Sequence, residues 1–252
     1  MNKKPTGRLW EIDALRGVAI VMMVLVHLRY DLVYYGGRRA PILVAGFWPN
    51  FARATASIFM FVAGLSLTLS YARSSRGEGS GQRLFAKYLK RGLKVFGLGL
   101  VITVVTWVLL REGAVYFGIL HFFGVSIILA YPFLRYRWPN LLIGLVLFAI
   151  GMVLSKRTFP FSWLMWLGFV PERLTAVDYY PLLPWFGVVL WGVFVGNVLY
   201  EGHVRGFPLP DLSGLLPTRW LAFLGRHSLL IYLVHQPLLV ALLTLSGVIS
   251  LL

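Results

Sequence analysis

Seven apolar runs of about twenty residues recur along a chain of 252 residues, near 12–34, 51–72, 89–110, 115–135, 138–155, 179–200 and 226–250. A helix needs about 20 predominantly apolar residues to cross the hydrocarbon core of a bilayer. Lipid offers the backbone no hydrogen-bond partner, so such runs have to become helices that satisfy themselves. Gly36-Gly37, Gly77 to Gly81, Glu112-Gly113 and Trp138-Pro139 break one run from the next. Charged residues make up 13% of the chain, against about a quarter in a soluble domain. A soluble globular domain, a disordered chain and a disulfide scaffold are thereby excluded. The fold class is all-α: a polytopic membrane bundle of about seven transmembrane helices, forming a single domain over 1–252.

The segment Phe159–Val170 is apolar and aromatic but too short to span. Its Trp163 and Trp166 favour the headgroup level, so it is expected to be interfacial or re-entrant. The first ten residues are basic, yet no small-residue cleavage site follows the first run, which is kept as a membrane helix. Basic residues set the orientation. A cytoplasmic N-terminus puts Lys3, Lys4, Arg8, Arg16 and the cluster Arg73, Arg76, Arg83, Lys87, Lys90, Arg91, Lys94 inside. The net charge of +15 is then a cytoplasmic rim facing anionic lipid. Some cluster members could also bind phosphate, which pairs well with arginine. Nucleic acid is not an expected partner, because the aromatic residues sit in the helices rather than on a basic surface. The expected location is multi-pass, in the cell membrane.

Ionisable side chains inside a bilayer cost a few kcal/mol each and are functional candidates by default. Arg16 and His27 stand eleven positions apart on the first helix, which returns them to within about 20° of each other and about 16 Å along the axis. Asp13 precedes Arg16 by three residues and Asp31 follows His27 by four, near the same stripe. A face carrying acid, base, imidazole and acid must line a cavity or a polar seam. Asp31 is placed to accept a hydrogen bond from His27, fixing its tautomer and leaving the other nitrogen as a base. The alternative is an ion pair in the outer interface. Arg53, with Ser57 one turn later, could neutralise an anion or snorkel to headgroups, and Arg29 reads as a snorkeller.

His121 is expected at a depth comparable with His27, either as part of a site or as an interhelical hydrogen-bonder. No His-Glu-x-x-His spacing is present, and no metal is expected. On the last helix Ser228, Tyr232 and His235 recur at i, i+4 and i+7, a second polar stripe read chiefly as interhelical bonding. Gly92, Gly97, Gly99, Gly187, Gly192 and Gly196 read as close-packing positions. The chain has no cysteine, which removes thiolate nucleophiles and Cys-ligated metals. No lysine follows Lys156, so the last helix holds no retinal Schiff base. No phosphate-binding Gly-Lys-Ser/Thr loop is present.

The opening Glu11-Ile12-Asp13-Ala14-Leu15-Arg16-Gly17-Val18-Ala19 with His27 resembles the first helix of the membrane-embedded acyltransferase superfamily. That group includes the heparan-α-glucosaminide N-acetyltransferase family and acyltransferase family 3. Arg16 and His27, with ten residues between them, match the family 3 signature. Gly225-Arg226-His227-Ser228, Tyr232-Leu233 and His235-Gln236-Pro237 resemble the terminal helix of the group. Phe117 to Phe122 and Asp178 to Phe186 are similar to segments of small bacterial and archaeal homologues of the heparan enzyme. The chain departs from that enzyme in having no histidine over 35–50, only Arg38 and Arg39.

The resemblance implies transfer of an acyl group, acetyl foremost, from acetyl-CoA or another acyl-CoA to an amine or hydroxyl of a glycan or lipid acceptor. On this reading His27 is the general base, by direct transfer or through an acyl-histidine, and Asp31 orients it. His121 or Arg53 would steady the oxyanion, and Arg16, Arg53 and Arg91 would meet the donor's phosphates. The rival readings are a proton-coupled transporter and a non-catalytic membrane subunit. A homo-oligomer is allowed by either.

Overall fold

The computed structural model describes residues 9–35, 46–75, 81–110, 113–201 and 204–249. Arg8, Arg38, Arg39, Arg76, the Gly36-Gly37 break and most of the Gly77 to Gly81 break lie outside the described residues, as do Lys3, Lys4 and Glu112. Among those described, the elements are α1 (Trp10–Tyr34), α2 (Phe47–Ser74), α3 (Gly81–Leu110), α4 (Ile119–Ala130), α5 (Trp138–Leu154), α6 (Leu182–Leu199), α7 (Leu216–Arg226) and α8 (Ser228–Leu245). Two short strands, β1 (Thr158–Phe159) and β2 (Val170–Pro171), pair in parallel, with Thr158 opposite Val170. The all-helical expectation holds.

The expected crossings hold only in part. Four described helices, α2, α3, α6 and α8, are long and apolar enough to cross a membrane. The 115–135 run condenses into a 12-residue α4 and a 3₁₀ turn over Tyr131–Phe133, about 18 Å of α-helix. Helix α5 has 17 residues. Helix α1 has 25 residues and carries Glu11, Asp13, Arg16, Arg29 and Asp31. The 226–250 run is also shortened, because Arg226 ends a separate helix, α7, and α8 spans only Ser228–Leu245. His227 turns the chain between them with φ −101° and ψ 16°, its N–H bonded back to the carbonyls of Phe223 and Leu224. Phe159–Val170 forms a folded-back segment whose Phe159, Phe161 and Phe169 rings pack together. Its Trp163 and Trp166 stay exposed, which suits the headgroup level.

The chain divides into two compact units, one made of Met1–Val62 with Leu209–Leu252 and the other of Ala63–Pro208. In the first, α1 packs along α7 at backbone distance. A Cβ on Gly17 would collide with the carbonyl of Leu221, and one on Gly225 with the carbonyl of Asp13. Only glycine at both positions lets the two backbones approach this closely. In the second, Gly92 meets Gly124 and Ile128, Gly187 meets Gly144, and Gly196 meets Thr68. Gly192 is buried. Gly97 is the exception among the expected packing glycines, since nothing lies within 4 Å of where its Cβ would be.

Overpacking a tight joint costs about 1–3 kcal/mol, more than the helix propensity that alanine gains over glycine. Gly17→Ala and Gly225→Ala should each lower the melting temperature of the detergent-purified protein. Gly97→Ala should leave it unchanged or raise it.

Candidate functional site

The polar stripe of α1 is present, and its two ends are tied to different helices. Asp13 is 4% exposed. Arg16 Nη1 donates to Asp13 Oδ1 at 3.2 Å and to the Gly225 carbonyl at 3.3 Å. That carbonyl belongs to the last turn of α7, where the helix has acceptors without intrahelical donors and favours a cation. Arg16 therefore holds the start of α1 against the end of α7.

One turn beyond Met23 the chemistry changes. His27 is half-buried, and its Nδ1 lies 2.9 Å from the Met23 carbonyl. A carbonyl only accepts, so Nδ1 carries the hydrogen and Nε2 keeps its lone pair. Asp31, expected to orient His27, accepts instead from Gln236 Nε2 at 2.7 Å through Oδ1. The tautomer of His27 is set by its own helix, through the Met23 carbonyl four residues back.

His235 completes this group from α8. It is 7% exposed and lies edge-on to His27, with ring centroids 4.6 Å apart at 83°. Its Nδ1 sits 2.7 Å from the Tyr232 carbonyl, so its Nε2 also keeps a lone pair. Asp31 is fully buried. Its Oδ2, the Oε1 of Gln236 and the Nε2 of His235 are buried without a hydrogen-bond partner among the described residues. Native structures rarely leave such atoms unpaired, and a group of them calls for a reason. The Asp31–Gln236 bond and the contact between the His27 and His235 rings bring these acceptor-bearing residues of α1 and α8 together. Sequence reasoning saw His235 only as part of a packing stripe and gave Gln236 no role. The signal available was the consecutive pair His235-Gln236 in an apolar helix.

His121 is placed otherwise. It is 1% exposed, and both ring nitrogens are engaged. The Gly118 N–H donates to Nδ1 at 3.2 Å, and Nε2 lies 3.2 Å from Thr103 Oγ1. Thr103 spends its own hydrogen on the Val115 carbonyl at 2.6 Å, so His121 Nε2–H is the donor in that pair. Phe117 stacks on the ring and Phe96 meets it edge-on. Beside it, Asp178 Oδ2 accepts from the Ile119 N–H at 3.0 Å. Asp178 thus caps the start of α4, whereas the sequence placed it at the start of the sixth apolar run. His121 and Asp178 together serve two of the N–H groups that α4 leaves unpaired.

The remaining candidates lie on the surface. Arg53 is exposed and donates to Asn50 Oδ1 at 3.2 Å. Ser57 donates to the Arg53 carbonyl of its own helix. Arg91 is exposed on α3, and Arg29 stands over the Trp48 ring at 5.8 Å. Among the described residues no three His, Asp or Glu side chains are grouped to hold a metal ion.

Residues 8–237 match the family described as heparan-alpha-glucosaminide N-acetyltransferase, catalytic. This span covers most of the chain, both terminal motifs and all four residues of the acceptor group, and the chain belongs to that family of membrane acetyltransferases. No curated protein and no solved structure matches it.

The bonds of His121 predict a structural effect. Thr103→Val removes the acceptor for a buried N–H, and a buried donor left unpaired costs about 1–3 kcal/mol. A lower melting temperature in detergent is the expected outcome, with Thr55→Val, a buried threonine whose hydroxyl donates to the Phe51 carbonyl of its own helix, as a comparison of equal chemistry.

Proposed function

We propose that this family member transfers an acyl group, acetyl foremost, from acyl-CoA to a hydroxyl or amine of a glycan or lipid acceptor, with His27 as general base. The observation that carries the reading is the contact of His27 with His235 next to the Asp31–Gln236 bond, with three buried acceptor atoms unpaired among the described residues. Unpaired acceptors suit a ligand that brings O–H or N–H bonds, and they disfavour a carboxylate or phosphate at the same spot.

The chemistry follows from the protonation states. The acceptor's hydroxyl or amine attacks the thioester carbonyl while its proton passes to His27 Nε2. The C–S bond then breaks, and the imidazolium returns the proton to the departing CoA sulfur. General base catalysis of this kind contributes about 10²–10⁴-fold. Asp31 is buried one turn along from His27, and in its carboxylate form it would favour the imidazolium that forms in the transition state. Gln236 holds that carboxylate by its Oδ1 and keeps its own Oε1 turned to the acceptor. His235 supplies a second lone pair against the His27 ring.

Arg16 is proposed to meet the donor's phosphates, with the start of α1 on the cytoplasmic side of the cell membrane. Arg16 can do so only with the N–H groups left over from Asp13 and Gly225. His121 has no nitrogen to spare and enters as a residue that builds α4.

Acetyl-CoA at 100-fold above its dissociation constant should stabilise the purified protein by about 2.7 kcal/mol. His27→Ala should keep that shift and lose transfer by about 10²–10⁴-fold, and His235→Ala should lose less. Retained turnover in His27→Ala would remove the base from His27. No shift with acetyl-CoA, longer acyl-CoAs or free CoA, together with donor-independent uptake in proteoliposomes, would replace acyl transfer with proton-coupled transport.

A further inference from the structure

We infer that the groove between the start of α1 and the outer face of α7 binds the headgroup of an anionic phospholipid. The groove encloses about 530 Å³ and is lined by Trp10, Thr218, Arg219, Trp220, Phe223 and Arg226, among others. Arg219 and Arg226 stand seven residues apart on α7, two turns or about 10.5 Å along one helix. Both are exposed, and neither guanidinium makes a hydrogen bond or ion pair to the described residues. Two acids close by in sequence are committed elsewhere. Asp13 is buried and bonded to Arg16, and Asp211 accepts from the Ser213 N–H. No carboxylate lines the groove.

The surroundings distinguish a lipid from a soluble anion. Leu212, Leu215, Leu216, Trp220 and Phe223 are all exposed, Trp220 by 61%. Helix α7 is 11 residues long, about 16 Å, which is too short to cross the hydrocarbon. Its apolar residues Leu216, Trp220 and Phe223 follow at i, i+4 and i+7, with Arg219 and Arg226 on the flank. An amphipathic helix of that kind lies in the interface, with indoles at headgroup depth and arginines toward phosphate. A phosphate between the two guanidinia, with acyl chains over Leu216 and Phe223, satisfies both the charge and the apolar surface. This site is separate from the His27 group and does not depend on acyl transfer.

The test is native mass spectrometry of the full chain in neutral detergent, titrated with phosphatidylglycerol or phosphatidylcholine. Wild type should bind phosphatidylglycerol at least tenfold more tightly. Each arginine near an anionic headgroup contributes about fivefold, so Arg219→Gln with Arg226→Gln should lose roughly 30-fold. Arg219→Lys with Arg226→Lys should retain most of the binding. Equal affinity for the two lipids, or undiminished phosphatidylglycerol binding in the glutamine variant, would overturn the proposal. Displacement of the lipid by inorganic phosphate or CoA at matched concentration would also overturn it, by making the groove a soluble-anion site. If the glutamine variant does not fold, photo-crosslinking of a phosphatidylglycerol probe to wild type decides. Crosslinks in the 216–226 peptide support the site, and their absence there rejects it.

Discussion

Lipid has nothing to offer a carboxylate, a guanidinium or an imidazole, and α1 carries all three on a helix that is otherwise apolar. Each must therefore be satisfied by protein, and the architecture of the first unit follows from how that is done. At one end Asp13 and Arg16 are closed off by the last turn of α7, which two glycines allow to approach at backbone distance. Further along, Asp31 is buried with only one of its oxygens bonded, by Gln236. One end of the stripe is spent on structure, and the other keeps acceptors in reserve. A buried polar network that is only partly satisfied costs stability, and such cost is most often borne where a ligand has to be met.

The histidines of α1 and α4 divide along the same line. His121 donates through one nitrogen and accepts through the other, and aromatic rings enclose it. His27 donates through Nδ1 and has Nε2 to spare. The difference does not come from the residue type or from its setting in an apolar helix, which the two share. It comes from whether a neighbouring hydroxyl, here Thr103, reaches the second nitrogen.

Much of the fold could be read in the chain itself. Every apolar run became a helix, since desolvated backbone has no alternative. The shortfall lay in lengths and junctions. Helix α4 stops early because Pro132 tightens its end into a 3₁₀ turn, and α5 needs its own beginning at Trp138-Pro139. Helix α7 escaped notice because an 11-residue amphipathic segment with arginines has no apolar run to announce it. Gly17 and Gly225 were noticed as parts of motifs, yet their meeting is invisible to any one-dimensional reading.

The sequence alone determined that this is a helical membrane protein of an acyltransferase type, and that Arg16, His27 and Asp31 share one face of the first helix. The membrane helices and the shared face rest on local physics, namely the length of an apolar run and the 3.6-residue period, while the acyltransferase type rests on the resemblance of the two terminal motifs. Only the tertiary structure decided the partners. It gave Asp31 to Gln236 and His235 to the edge of His27, and it assigned Arg16 to α7 and Asp178 to α4. A hydrogen bond requires its atoms within about 3 Å, and a separation of two hundred residues along the chain says nothing about that distance.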